Sequence, residues 1–191
     1  FVKELEIALE SGAAHLAAAV GTPVAAVSHA VLQGWIADLN AAGLEPLALY
    51  PDISLMPENP SQTVLWFERG RLSVRRPGAQ PFSVELSPVS EAMVVAGVIP
   101  DPLDTNPELK PPENALLFIT RDDWAQSQSE FERLAEKFES LKVQLLPDGP
   151  LPWLARSLDT TDAINLLQGE FARVTDLGAR FRKWRTPALL A

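Results

Sequence analysis

The only two histidines, His15 and His29, are the first residues whose chemistry could be catalytic. A histidine next to a serine, as in Ser28–His29, has the residue types of a base and a hydroxyl nucleophile. The members of a catalytic triad meet in space, however, so neighbours in sequence carry little weight. We expect both histidines at the ends of strands, near solvent, and we predict no catalytic residue.

Two acidic segments could in principle bind a cation. Asp101 and Asp104 lie in a proline-rich stretch, and Asp122 and Asp123 lie just before a predicted helix. Metal sites need several ligands at suitable spacing, which neither segment offers. Solvated or helix-capping roles suit these carboxylates better, so the sequence predicts no metal site.

A third candidate is the predicted hairpin "TVLWFERGRLSVRR". In an actin-type ATPase, a hairpin that binds the phosphates of a nucleotide needs an aspartate for the metal-bound water, a glycine for close backbone approach, and a threonine or lysine near the phosphates. Here Leu65, Trp66 and Phe67 are bulky, and the charge of Glu68 would repel phosphate. Gly70 is explained by the turn, and no Walker-type or Gly-x-Gly-x-x-Gly motif occurs. We therefore expect no cofactor and no nucleotide hydrolysis.

Charge is divided unevenly along the 191 residues. From Arg173 onward there are five cations and one anion, a net of +4, which leaves −13 for residues 1–172 of the total of −9. An acidic body with a basic tail argues against nucleic acid and favours a phospholipid surface for the tail. The chain has no cysteine, which excludes disulfides, thiolate zinc sites and a cysteine nucleophile.

The basic tail also carries a tryptophan directly before a short apolar run, "FRKWRTPALLA". Cations and tryptophan at such a place are typical of the cytoplasmic flank of a membrane span. A solvated helix end is the alternative. We predict a membrane-proximal segment, followed by a span after residue 191, made by Arg180, Arg182, Lys183, Trp184 and Arg185.

The elements that would position these residues form two groups. Residues 1–57 predict helix, strand, strand, helix, strand, a small αββαβ subdomain whose last strand is "LEPLALYPD". Residues 58–160 predict βββαβαβ, with a helix opened by a capping box of Ser129 and Glu132. A three-stranded meander that feeds parallel strands through crossover helices describes the ribonuclease-H-like lobe of an α/β, actin-like fold. Residues 161–191 form the remainder.

The stretch "INLLQGEF" lies at the start of that remainder. The sequence "PVAAVSHAVLQGWIADLNAAGLEPLALYPD", followed by "INLLQGEF" and "FRKWRTPALLA", resembles the L protein family of type II secretion systems. This family has an actin-like cytoplasmic domain and one membrane span. The resemblance implies that part of the N-terminal lobe precedes Phe1. It also implies a location at the cytoplasmic face of the bacterial inner membrane.

The resemblance further implies a scaffold rather than an enzyme. Such a scaffold recruits the secretion ATPase (the E protein) and joins the M protein and other inner-membrane platform proteins; a homodimer stays open. The L protein looks like a pilus M protein fused to the "INLL" peptide of a pilus N protein. The implied tether, which lies back on the actin-like body, is Ile164, Asn165, Leu166 and Leu167.

Three alternatives remain open for these predictions. One is a nucleotide-binding actin-like enzyme, and another is a soluble adaptor like the M protein of type IV pili. For residues 164–167, the third is a final core helix of the domain.

Overall fold

The computed structural model describes residue 8 and residues 10–17, 24–101, 103, 114–158 and 163–172. The chain divides into two compact units at Pro51–Asp52 and at Ala163–Ile164. The small unit combines residues before Asp52 with residues from Ile164 onward, and the large unit runs from Asp52 to Ala163. The predicted boundaries at 57/58 and 160/161 stay predictions.

The large unit is built on one five-stranded sheet in the order β5-β4-β3-β6-β7. Its strands are β3 (Thr63–Glu68), β4 (Arg71–Arg75), β5 (Phe82–Glu85), β6 (Asn114–Thr120) and β7 (Ser140–Leu146). The pairs β3–β4 and β4–β5 are antiparallel, whereas β6 runs parallel to both β3 and β7. This meander with parallel additions is the predicted ribonuclease-H-like order of an α/β fold.

Helices cover both faces of this sheet. The helices α2 (Val89–Val95) and α3 (Arg121–Ala135) contribute to one apolar cluster, which includes Leu65 and Phe67 of β3. The 3₁₀ turn Asp52–Leu55 and α4 (Pro150–Ala155) contribute to the other, which includes Val64 and Trp66. A central strand that is buried on both faces explains why "VLWF" is continuously apolar and does not alternate.

The small unit consists of a hairpin, a helix and a returning segment. The strands β1 (Ala14–Ala17) and β2 (Ala25–Ser28) pair antiparallel, and α1 (His29–Ala41) follows directly. Gly43, with φ of 75°, ends α1: the amide of Leu44 bonds the carbonyl of Leu39, and the amide of Gly43 bonds that of Asn40. This is a Schellman cap, which needs a left-handed residue at the glycine position. Most of the predicted first helix lies outside the described residues.

Three local predictions are wrong. No strand forms in the described residues 44–51, because Pro46 and Pro51 interrupt a ladder there. The helix expected at Ser129 already begins at Arg121, where Thr120 is the N-cap and its hydroxyl accepts the amide of Asp123 at 3.1 Å. The apolar pattern of Val31, Leu32, Trp35, Ile36 and Leu39 predicts a core position for Trp35, which is instead 48% exposed.

Candidate peptide-docking site

The core of the small unit is completed by a segment that is distant in sequence. Ala17 and Leu32 are its buried residues from β1 and α1. Ile164, Leu166 and Leu167, all less than 10% exposed, supply the other three. A two-stranded sheet with one helix has little apolar surface of its own, so among the described residues the returning segment provides three of the five buried apolar side chains of this core. Each buried aliphatic side chain contributes ~1.5–3 kcal/mol before ordering costs.

Asn165 bonds the backbone of two segments at once. Its Oδ1 accepts the amide of Leu49 and the amide of Leu167, each at 3.0 Å. The amide of Leu166 donates to the carbonyl of Leu49 at 2.7 Å. Leu49 therefore has both backbone groups satisfied by the returning segment, although the stretch does not form the strand that the sequence predicts.

His15, in strand β1, forms a hydrogen bond to the same segment. Its Nε2 lies 2.8 Å from the carbonyl oxygen of Leu166, and since a carbonyl only accepts, Nε2 carries the proton in this bond. The ring is only 7% exposed, in the middle of β1. The expectation of a solvent-facing histidine at a strand end is wrong for this residue.

Phe171 forms a second contact of the segment, beyond the four predicted residues. Its ring centroid lies 4.9 Å from that of His15, edge to face, and 4.9 Å from that of His29. His29 Nε2 also lies 3.1 Å from Oε1 of Glu170. The two histidines, which no sequence pattern connects, thus both contact the ring of Phe171.

A groove of about 530 Å³ borders the docked segment. The groove is lined by two residues of α1, three of the loop that follows it and two of the docked segment: Ile36, Asn40, Gly43, Glu45, Pro46, Leu167 and Phe171. The groove shows that Leu167 and Phe171 still present part of their surface after docking.

The predicted membrane-proximal residues have no place in this description of the site. Arg180, Arg182, Lys183, Trp184 and Arg185 lie outside the described residues, as does Asp104. Within the ranges that the structure describes, no helix is both long and apolar enough to cross a bilayer.

The hairpin between β3 and β4 uses its large side chains in the core of the large unit. Leu65, Trp66 and Phe67 are at most 4% exposed. At the turn, Arg69 has a φ of 49°, and its amide donates to Oδ1 of Asp123 at 3.1 Å. The other oxygen of Asp123 accepts the hydroxyl of Thr120 at 2.7 Å. A carboxylate of the chain itself therefore takes the turn amide that a phosphate-binding hairpin would offer to its ligand.

The remaining acidic residues form no ligand group. Among the described residues, no three His, Cys, Asp or Glu side chains are arranged to hold a metal ion. Asp101 is exposed, and its carboxylate accepts the amide of Leu103 at 2.8 Å. Asp122 and Asp123 lie in the first turn of α3, where negative charge is favourable.

Comparison with known proteins gives a structural and a family match. The solved cytoplasmic domain of EpsL, an inner membrane component of the type II secretion system of Vibrio cholerae, superposes with a TM-score of 0.50 at 16% identity. The match covers 87% of this chain and 66% of that domain, so the chain spans slightly less than two thirds of its relative. At this identity the likeness shows a shared fold, and it confirms the predicted α/β, actin-like fold class.

No curated protein matches the chain significantly in sequence. The family model described as "Type II secretion system (T2SS), protein L" matches residues 18–173, which include the whole docked segment. This match covers well over half of the chain and confirms the resemblance seen in the sequence. The chain belongs to the type II secretion system protein L family.

Proposed function

We propose that this chain is the cytoplasmic scaffold of a type II secretion platform, which recruits the secretion ATPase to the inner membrane. The family supports a role in this secretion system. The solved relative is an inner membrane component of it. In this proposal the chain acts by binding neighbours rather than by chemistry.

The observation that carries the proposal is the docked segment 164–171. A scaffold that works at a bilayer needs a firm attachment between its membrane-proximal segment and its folded body, so that the body is held at a defined place near the membrane. Ile164, Leu166 and Leu167 are buried in the small unit, directly before the basic stretch that begins at Arg173. The proposed tether is therefore packed into a folded core, which fixes the point from which the basic stretch leaves.

The hairpin between β3 and β4 favours a scaffold function over the alternative of a nucleotide-binding enzyme. Trp66 and Phe67 contribute to the two cores, and Asp123 accepts the amide at the turn. A ligand phosphate would have to displace this carboxylate and would meet the charge of Glu68. Equilibrium dialysis with ATP and magnesium tests this alternative, and specific, metal-dependent binding would favour the enzyme.

The test of recruitment is a pull-down of the N-terminal domain of the cognate ATPase. We expect capture by the full-length cytoplasmic domain, and stronger capture on vesicles that contain anionic lipid when the basic stretch is present. A chain ending at Ala172 is the matched control: it should keep binding the ATPase and lose the vesicles. Failure of the full-length cytoplasmic domain to capture the ATPase would contradict the scaffold function.

A further inference from the structure

An apolar groove stays open beside the docked segment of the small unit. Its volume is about 530 Å³, and its apolar wall is supplied by Ile36, Pro46, Leu167 and Phe171. Ile36 and Phe171 are half-buried and pack against the core that the docked segment completes. The groove is therefore continuous with an established packing surface. Removing its remaining apolar area from water is favourable in proportion to that area.

The groove lies where the chain leaves the docked segment. Phe171 lines the groove, and Ala172 is the next residue. The sequence continues as "RVTDLG", in which Val174 and Leu177 are apolar and three positions apart. A single helical turn presents residues i and i+3 to the same surface. Because a residue spans at most ~3.6 Å, Val174 stays within about 11 Å of Phe171 and can reach the groove.

We propose that the groove binds residues 173–177 of this same chain, with Val174 and Leu177 as its apolar anchors. The chain then leaves the small unit at Gly178 rather than directly after Ala172. The inference extends the tether of the proposed function by these five residues. It does not depend on recruitment of the ATPase, which the experiments below do not measure, so the two proposals can fail separately.

Charge and connectivity favour this occupant over a lipid or a separate chain. Glu45 is the one charged residue among the described residues that line the groove, and the cation Arg173 directly precedes Val174. A fatty acid or a phospholipid would instead bring a second negative charge beside Glu45. A separate peptide loses its translational and rotational freedom when it binds. A segment that is joined to the wall of the groove binds at a high effective concentration and avoids most of this loss.

The chain has no cysteine, so one introduced thiol reports whether position 174 is buried. Val174→Cys keeps a small apolar side chain, and its thiolate reacts with iodoacetamide only where the reagent can reach the sulfur. Ala179→Cys is the matched control because it lies beyond Gly178. Each of the two positions has an arginine as a direct neighbour, Arg173 or Arg180, so the local charge is similar.

In the 191-residue chain, we expect Val174→Cys to react about ten times more slowly than Ala179→Cys, because the docked thiol reacts only when the segment opens locally. The difference should not depend on protein concentration. It should also persist in about 1 M salt, where attraction between charges is screened within roughly 3 Å. Equal rates would overturn the proposal. Protection that rises with protein concentration would assign the groove to a second copy, and protection lost in salt would assign the segment to the acidic surface, so either result would also overturn it.

A variant that fills the groove separates binding there from burial elsewhere. Asn40 is exposed on α1 and lines the groove, so Asn40→Trp fills it without removing a core side chain. Added to Val174→Cys, this change should raise the alkylation rate to that of Ala179→Cys. Gly34→Trp is the control: it lies two residues from Ile36, on the other side of α1, where a Cβ meets nothing within 4 Å. We expect it to leave the protection unchanged. Protection that survives Asn40→Trp, or that both changes abolish, would contradict binding in the groove.

Discussion

The small and the large unit reach a buried core by different routes. The large unit has five strands, with helices on both faces, and among the described residues its two apolar clusters are made by side chains between Asp52 and Ala163. Within the same described ranges, the apolar cluster of the small unit has five buried side chains, and three of them come from a segment more than a hundred residues away in sequence. The large unit is thus built from one continuous stretch of chain, whereas the small unit needs a short peptide from far along the chain to complete its core.

The largest effect should follow from charges placed inside the small core. Replacing Leu166 and Leu167 by Asp removes ~1.5–3 kcal/mol of burial per side chain and adds two carboxylates without partners. We expect residues 163–172 and α1 to become protease-sensitive while the large unit stays protected. Leu47→Asp, at a side chain that is 74% exposed, is the control. Unchanged protease sensitivity of the double variant would contradict docking.

A substitution that creates a cavity in the large unit tests whether that unit can lose stability without affecting the small unit. Leu117 is fully buried in β6. We expect Leu117→Ala to lower the free energy of unfolding of the large unit by ~2–5 kcal/mol. Hydrogen exchange should show the loss in the strands of the large sheet and leave the amide of Leu166 protected. Equal losses in both units would mean that they unfold together, and the distinction would fail.

A smaller effect is expected at Asn165. The change to Ala leaves the amides of Leu49 and Leu167 without their acceptor, at a cost of ~1–3 kcal/mol. Asn165→Asp keeps an oxygen at that place and should cost less. Exchange rates of these two amides check the prediction. Equal exchange rates in Asn165→Asp and Asn165→Ala would mean that these two hydrogen bonds do not stabilise the docked segment.

The smallest effect concerns an exposed carboxylate of the large unit. The amide of Gly78, and then the Arg75 side chain, lower the pKa of Glu58. A lowered folded-state pKa contributes stability above the unfolded value of about 4.3, and this contribution is lost as the pH falls through the folded pKa. Glu58→Gln should flatten the acid limb of the stability profile slightly. An NMR titration that finds an unshifted Glu58 would refute this.

Much of the large unit could be predicted because its signals are local. Alternating apolar residues, Gly70 at the turn and the apolar run 115–119 each specify a strand within a few residues. The start of α3 was missed because its first turns are polar and its apolar periodicity becomes clear only near Phe131. Thr120 and Asp123, which do form the cap, are themselves a T-x-x-D pattern.

The docking site could be predicted only in part from the sequence, because most of its contacts join residues that are far apart along the chain. The apolar residues and the amide of "INLL" indicate a docked peptide, although its role as a tether stays a prediction. Nothing local indicates its partners: the bond from His15 to Leu166 joins residues 151 positions apart. The pairing of Glu170 with His29, and the contacts of Phe171 with both histidines, are equally non-local.

The division at Pro51 and Ile164 has a consequence for biosynthesis. The ribosome delivers the hairpin and α1 first, but their core residues must wait until position 167 has been made. At typical rates of ~5–20 residues per second, the end of α1 and position 167 are therefore synthesised roughly 6–25 seconds apart. During this interval the hairpin and α1 lack the three aliphatic side chains that complete their core, and the small unit closes only when it captures the incoming peptide.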